Sequence, residues 1–401
     1  MLADHRLLPA DEAALIAAIA GATAPLAIAG HATKTAMLRP VQAARTLSVA
    51  ALAGITLYSP KELVLRAGAG TPLPVIAAAL AESGQHLIAE PPDFSALFGV
   101  DRPATIGGVV AANLSGPRRV AWGAMRDHLL GVRAVNGRGE LIRSGGRVLK
   151  NVTGLDLCKL LAGSHGTLAV LTEVTLKVLP APEAVGTVAV TGCDAMAGVA
   201  ALAAALGSPY GVSGAAYLPA EAAARIGLTG PVALARIEDF APSVAYRRER
   251  LRVDLAGFGT AMLIDDAPSR VLWRAIRDAV PLGADFAAAP APAEEAVWRV
   301  SVRPSAGPAV LATVPARGFL DWGGGLVWLA GPATAALHET VCAAARAAGG
   351  TWMLFRAPEP LAAAVAVIPP EPAPLVRIGR TLKAAFDPAG ILNPGRMVAG
   401  Q

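Results

Sequence analysis

The spacing of hydrophobic positions changes several times along the chain, and each change predicts an element. Between 9 and 22, Leu15, Ile16 and Ile19 fall on one helical face, with Pro9 and Asp11 at the start, which predicts an opening helix. Short apolar runs predict strands at 26–29, 46–49, 55–59 and 63–67. A 3.6-residue period predicts a helix over 73–83, with Gly84 as its stop. Strands at 129–135 and 141–144 flank Asn136-Gly137-Arg138-Gly139, a hairpin signal. A helix at 157–162 and a Leu/Val/Thr-rich β-segment at 168–179 follow. The run Pro180-Ala181-Pro182 then breaks the pattern and marks a domain boundary.

Beyond it, strands at 187–190, 214–218, 232–237, 261–264, 297–302 and 325–329 alternate with helices at 195–206, 242–256, 267–280, 305–313 and 333–348. That alternation predicts an α+β unit with a mixed or antiparallel sheet. An Ala/Pro loop is expected at 287–293, and the tail adds a strand at 351–355, a Pro-rich link at 369–374 and a helix at 377–386. The expected division is a first domain over 1–181, a second over 182–350, and a segment over 351–401 that returns to the first.

Composition narrows the class. Of 401 residues, 54% are hydrophobic but only 4% aromatic, so alanine carries the apolar excess and the positive mean hydropathy. No apolar run reaches the ~18 residues of a spanning helix, and the N-terminal residues show no signal-peptide pattern. A cytoplasmic protein is expected. Cys158, Cys193 and Cys342 are scattered, which suits a reducing compartment and leaves too few thiols for an iron–sulfur cluster. The net charge of +5 is dispersed and the six histidines show no metal-ligand spacing, so neither nucleic acid nor a metal is expected.

Three segments carry chemistry. Thr105-Ile106-Gly107-Gly108-Val109-Val110-Ala111-Ala112-Asn113-Leu114-Ser115-Gly116 pairs glycines between apolar runs. Its backbone N–H groups suit a phosphate nest, and a structural turn explains it equally well. Gly163-Ser164-His165-Gly166-Thr167-Leu168, running to Val170, Thr172 and Glu173, reads as a tight turn feeding a buried strand. Asp387-Pro388, followed by Asn393-Pro394-Gly395-Arg396, is a rigid tail that caps a domain or folds onto a ligand.

Together with Gly30-His31-Ala32-Thr33-Lys34, Gly68-Ala69-Gly70-Thr71 and Gly123 to Asp127, these segments resemble FAD-binding flavoproteins of the vanillyl-alcohol oxidase or PCMH type. Within that group the chain resembles the smaller, E-type FAD-binding subunits of bacterial glycolate oxidase. The closer resemblance rests on Glu90-Pro91-Pro92, Gly116-Pro117-Arg118-Arg119, Lys150 to Leu157 and Asp321-Trp322-Gly323-Gly324. It implies an α+β fold: a two-lobed FAD-binding domain, with lobes about 1–60 and 61–181, plus a smaller α+β cap domain. The pyrophosphate would be held by Gly30, His31, Ala32, Thr33 and Lys34 with Thr105, Gly107, Gly108, Ala111, Asn113 and Gly116. Pro91 would lie near the adenine end or flavin edge, Val170 and Glu173 would line the slot, and Asn393 would approach from the tail. Some relatives attach FAD through a histidine close to the position of His31; here a free loop histidine or phosphate donor is the expectation.

The implied function is the FAD subunit of a glycolate oxidase-like complex that oxidises glycolate, a 2-hydroxy acid, to glyoxylate. Its implied partners are a catalytic flavin subunit and an iron–sulfur subunit, through which it would reach the inner face of the membrane. A His-x-x-Gly-Asp-Gly-Asn-x-His motif, present in catalytic relatives, is absent. Arg303 and Asp321 are the only catalytic candidates, with Arg303 expected at a surface or interface. A non-catalytic FAD-carrying scaffold and a stand-alone FAD-dependent oxidase remain the alternatives.

Overall fold

The computed structural model describes residues 6–146, 155–283 and 294–400. Lys150 to Gly154 and the expected loop at 287–293 lie outside the described residues. The first half holds a small parallel sheet, β1 (Arg6–Leu7), β2 (Leu26–Ala29) and β3 (Arg45–Ser48), in the order β1-β3-β2. Beside it stands an antiparallel sheet of β4 (Ile55–Ser59), β5 (Val64–Gly68), β7 (Leu129–Asn136), β8 (Leu141–Gly145) and β9 (Ala169–Lys177), in the order β4-β5-β9-β7-β8. A minor pair joins β6 (Gln85–His86) to β10 (Leu179–Pro180). The helix Glu12–Ala20 is capped by Asp11 and buries Leu15 and Ile19. It is tied to the larger sheet by Glu12, which pairs with Arg133 of β7 and accepts from Thr172 of β9.

The second half is built on eight strands: β11 (Ala184–Thr191), β12 (Val212–Leu218), β13 (Val232–Asp239), β14 (Thr260–Ile264), β15 (Glu295–Ser301), β16 (Arg317–Asp321), β17 (Leu326–Pro332) and β18 (Thr351–Arg356). Their order is β14-β11-β13-β12-β16-β17-β15-β18, and every pairing is antiparallel. The sequence left mixed and antiparallel open. Helices Ala195–Gly207 and Ala241–Leu255 pack against this sheet, which is why β12 is buried at every position.

Among the elements that escape the sequence pattern, two bear on the site and the second sheet. The helix Ile106–Ala111 contains Gly107 and Gly108, poor helix formers, and forms because Thr105 caps it and tertiary contacts clamp it. Strand β16 offers only Phe319 and Leu320 as adjacent apolar residues, and Phe319 stacks on Trp328 of β17 at 6.3 Å.

A cluster of ion pairs joins the halves. Glu90 forms a two-pronged contact with Arg236 of β13 at 2.8 and 2.9 Å. Arg118 meets Glu238 at 2.7 and 3.0 Å, and its backbone N–H donates to Glu90. Burial alone would raise the Glu238 carboxyl, but Arg236 and Arg118 outweigh it and hold the group well below the usual range. Two acids and two arginines balance in a dry setting, where an unpaired member would be very costly.

The tail closes the first half. After the helix Ala373–Phe386, the fully buried carboxylate of Asp387 accepts from the backbone of Ile391 and Leu392 and pairs with Lys383 at 2.7 Å. The turn so formed lays Leu392 alongside Leu26 as a parallel bridge at the edge of β2. Asp387→Ala leaves two amides and an ammonium without their shared acceptor, and is expected to destabilise the protein by roughly 3 kcal/mol. Denaturant unfolding measures this; a loss below ~1 kcal/mol would show that the tail is held by other contacts.

Candidate functional site

Between the small parallel sheet, the helix Ile106–Ala111 and the tail lies a cleft of about 370 Å³. Its floor is the loop over 30–35. Ala32 takes a left-handed conformation (φ 58°), and among the described residues the backbone N–H groups of 31–35 donate to no chain acceptor. The carbonyls of Lys34, Thr35 and Arg39 instead accept from Arg396 of the tail. An arginine thus gathers the loop's carbonyls and leaves its amides uncommitted. Successive free amides around a left-handed residue form an anion nest.

Lys34 completes the nest. Its ammonium donates to the Thr33 hydroxyl at 3.0 Å and pairs with no carboxylate among the described residues. Enclosure lowers its pKa to about 8, only partly offset by the more distant Asp93. Arg396 is lowered to about 10 by the same loss of solvation. His165 also faces the cleft; enclosure, Arg396 and Lys34 push it down to about 3, so it is neutral at physiological pH. The site therefore holds an excess of positive charge in a partly dry cleft, a setting that suits a multiply charged anion.

The helix start is not an open nest. The amide of Ile106 donates to Thr71, that of Gly107 to Ala69, and that of Gly108 to the Thr105 side chain. Gly107 is needed for packing, since a Cβ there would lie 2.6 Å from that of Ala69. Gly108 opens to the cleft, where its Cβ position is 3.4 Å from the Lys34 ammonium. Gly30 admits Thr105, whose hydroxyl lies 2.3 Å from where a Cβ would stand.

The structure brings Gly30, His31, Ala32, Thr33, Lys34, Thr105, Gly108, Ala111 and Asn393 together around the cleft. His31 donates through Nδ1 to the Pro103 carbonyl at 2.9 Å. Asn393 lines the wall, but its side chain accepts from Ile28 at 2.7 Å and donates to His165 at 2.8 Å. It clamps strand, turn and tail together. The other expected residues lie elsewhere. Asn113 accepts from the amide of Arg126, Val170 is fully buried in β9, and Glu173 engages Arg66 and Thr56. Pro91 borders a different cavity of about 440 Å³, beside the ion-pair cluster. Gly116 lies against Glu90, and its carbonyl accepts from Trp322. Asp321 is buried, whereas Arg303 is exposed.

Sequence reasoning missed His165 and Arg396 as cleft residues. Both sit inside segments singled out for other members, and nothing in a linear pattern shows which side chain of a turn faces inward.

Among the described residues, no helix is long and apolar enough to cross a membrane, and no cluster of His, Cys, Asp or Glu could hold a metal ion. Residues 3–145 match the FAD_binding_4 family, an FAD binding domain. The chain is 36% identical over 378 residues to the glycolate oxidase subunit GlcE of Escherichia coli, covering 94% of this chain and 93% of that protein. It is 41% identical over 93 residues to the glycolate oxidase subunit GlcD of Bacillus subtilis, covering 23% and 19% respectively. The solved structure of 4-ethylphenol oxidase from Gulosibacter chungangensis shares the fold, with a TM-score of 0.69 at 14% identity, over 98% of this chain and 88% of that one. The unpaired amides and cations of the cleft fit the diphosphate of FAD, and the chain belongs to the family of the FAD-binding glycolate oxidase subunit GlcE.

Proposed function

We propose that this chain is the FAD-carrying subunit of a glycolate oxidase-type complex, which oxidises a small 2-hydroxy acid to the 2-oxo acid. The observation that carries the reading is the loop over 30–35, whose uncommitted amides and Lys34 converge in one cleft. In this reading, those amides and the Lys34 ammonium bind the FAD diphosphate. Arg396 positions the loop, and Asn393 holds the cleft wall. His165, held neutral down to about pH 3, adds no charge of its own to the cleft, so the attraction for the diphosphate comes from Lys34 and Arg396. Bound FAD would supply the acceptor for the hydride leaving the substrate Cα, which carries both electrons, while the hydroxyl gives up its proton. The division of the chain into an FAD domain over 1–181, a cap over 182–350 and a returning segment belongs to the same proposal, as do the partners: a catalytic flavin subunit and an iron–sulfur subunit. The absent His-x-x-Gly-Asp-Gly-Asn-x-His motif supports turnover within the complex rather than by this chain alone. Any contact with the cytoplasmic face of a membrane would come through those subunits.

The purified chain is expected to show flavin absorption bands and to release the flavin on acid denaturation, because His31 already commits Nδ1 to Pro103. With glycolate the isolated chain is expected to turn over far more slowly than the assembled complex. Equal rates would remove the division of labour, and a folded chain that stays colourless after incubation with FAD would remove the cofactor assignment.

Lys34→Met is expected to weaken FAD binding by about tenfold or more, the loss of one charge-assisted contact. Linkage gives the sign of the pH effect. The free site holds Lys34 at about 8, and a bound diphosphate raises it. FAD affinity is therefore full below pH 8 and falls as pH rises above it. Equilibrium dialysis between pH 7 and 10 checks this: the fall should be present in the natural protein and absent in Lys34→Met.

A further inference from the structure

Another cation is enclosed without an ion pair among the described residues, at the seam between the halves. Arg299 lies on β15, paired in register with Trp328 of β17 and Met353 of β18. Its guanidinium stands 4.9 Å from the ring centre of Trp328, 5.4 Å from that of Trp322 and 5.5 Å from that of Phe355. Its Nε is fully enclosed and has no hydrogen-bond partner. No ion pair holds the group among the described residues. Enclosure and the nearby Arg119 lower its pKa to about 10, with Asp321 opposing.

Arg236 provides the contrast within the same sheet. It is more deeply buried, yet Glu90 grips it with two contacts and Ser213 adds another, so its pKa is raised. The fold thus pairs one buried arginine fully and leaves another with only aromatic faces. Cation–π contacts compensate for part of the lost hydration and leave the N–H fork without acceptors. The surroundings suit a small planar anion. Phe94 and Phe98 from the first half meet Phe355 at 5.2 and 5.6 Å, and Trp328 meets Phe355 at 5.2 Å, giving a largely apolar wall. Trp322 takes a left-handed backbone (φ 53°), costly for a bulky residue. Its indole donates to Gly116 at 3.2 Å, and Arg119 lies 4.6 Å from its ring centre. Arg119 of the first half and Arg299 of the second thus approach the same ring.

We propose that Arg299, supported by Arg119 at the Trp322 ring, anchors a site for the carboxylate of a small 2-hydroxy or 2-oxo acid. The chemical class rests on the function proposed above, while the anion site rests on the geometry alone. The planar guanidinium fork matches a carboxylate in two-pronged fashion, and its strength rises in a water-poor setting. Arg303, the arginine singled out from sequence, is exposed, whereas Arg299 has the enclosure and the uncommitted donors that such a role needs.

The test uses the full chain loaded with FAD, titrated with oxalate, glycolate and inorganic phosphate, and read by tryptophan fluorescence and calorimetry. Saturable oxalate and glycolate binding is expected, tighter than that of phosphate. Arg299→Gln should weaken it about tenfold or more, as loss of a charged fork implies, with the flavin absorbance unchanged; Arg119→Gln should weaken it less. Arg299→Met supplies a second readout. Removing an unpaired enclosed charge should raise the melting temperature of the carboxylate-free chain, and oxalate should raise it further only in the natural protein. Unchanged oxalate affinity in Arg299→Gln, no binding by the natural chain, or tighter binding of phosphate would overturn the proposal. The flavin absorbance reports separately on FAD, and titration of flavin-free chain judges Arg299 even if the cofactor reading fails.

Discussion

Enclosing a cation without a carboxylate beside it is the constraint around which this protein is organised. Lys34 and Arg396 meet that condition at the cleft, and Arg299 meets it at the seam. Each shows the same signature: loss of solvation dominates and lowers the pKa. Other buried arginines avoid the penalty. Arg236, Arg118 and Arg133 are each matched to a glutamate. A folded chain tolerates unpaired enclosed charge where a ligand of opposite sign offsets it. In the proposed reading, the cleft and the seam are therefore places where ligand binding and stability trade against each other.

The sequence signalled the cleft well in one respect and poorly in another. The loop Gly30 to Lys34, Thr105 and the Asn-Pro-Gly-Arg tail stand out because glycine and proline mark unusual backbone, and the fold brings all three together. Division of labour within them was not legible. The paired glycines suggested the nest, yet Ile106 and Gly107 have spent their amides on Thr71 and Ala69. The uncommitted amides belong to the less conspicuous loop before them. What separates the two is a set of tertiary hydrogen bonds, and no local pattern records those. Asn393 follows the same rule: a polar residue in a tail promises a ligand contact, but both ends of its amide serve the chain.

Most strands and long helices were legible because they bury continuous apolar faces over several residues. Elements whose existence depends on partners were not: β16, the helix Ile106–Ala111, and the pair β6–β10. The segments that set this chain apart from the broader flavoprotein group behave consistently too. Glu90, Gly116 to Arg119, and Asp321 to Trp322 are far apart in sequence and meet at the seam. Of the general motifs, the loop Gly30 to Lys34, Thr105 and Asn393 line the cleft, while Glu90, Gly116 to Arg119 and Asp321 to Trp322 build the joint between the sheets. Pro91 and Gly116, grouped with the cofactor residues from sequence, border the seam.

The seam sets the charges around Arg299. Arg118 is locked onto Glu238, and the next residue, Arg119, lies over Trp322. Asp321, adjacent to Trp322, is pushed up to about 7 by burial, against the hydrogen bond from Trp322 and the charges of Arg236 and Arg299. Its carboxyl is thus partly protonated near neutrality and supplies only a fraction of a counter-charge to Arg299. Full ionisation would pair with the arginine and weaken its pull on an external carboxylate; full protonation would remove a potential proton acceptor. The aspartate is buried beside an ion-paired arginine and one without an ion pair, and Glu90 of the first half opposes its ionisation, so this balance is set at the seam.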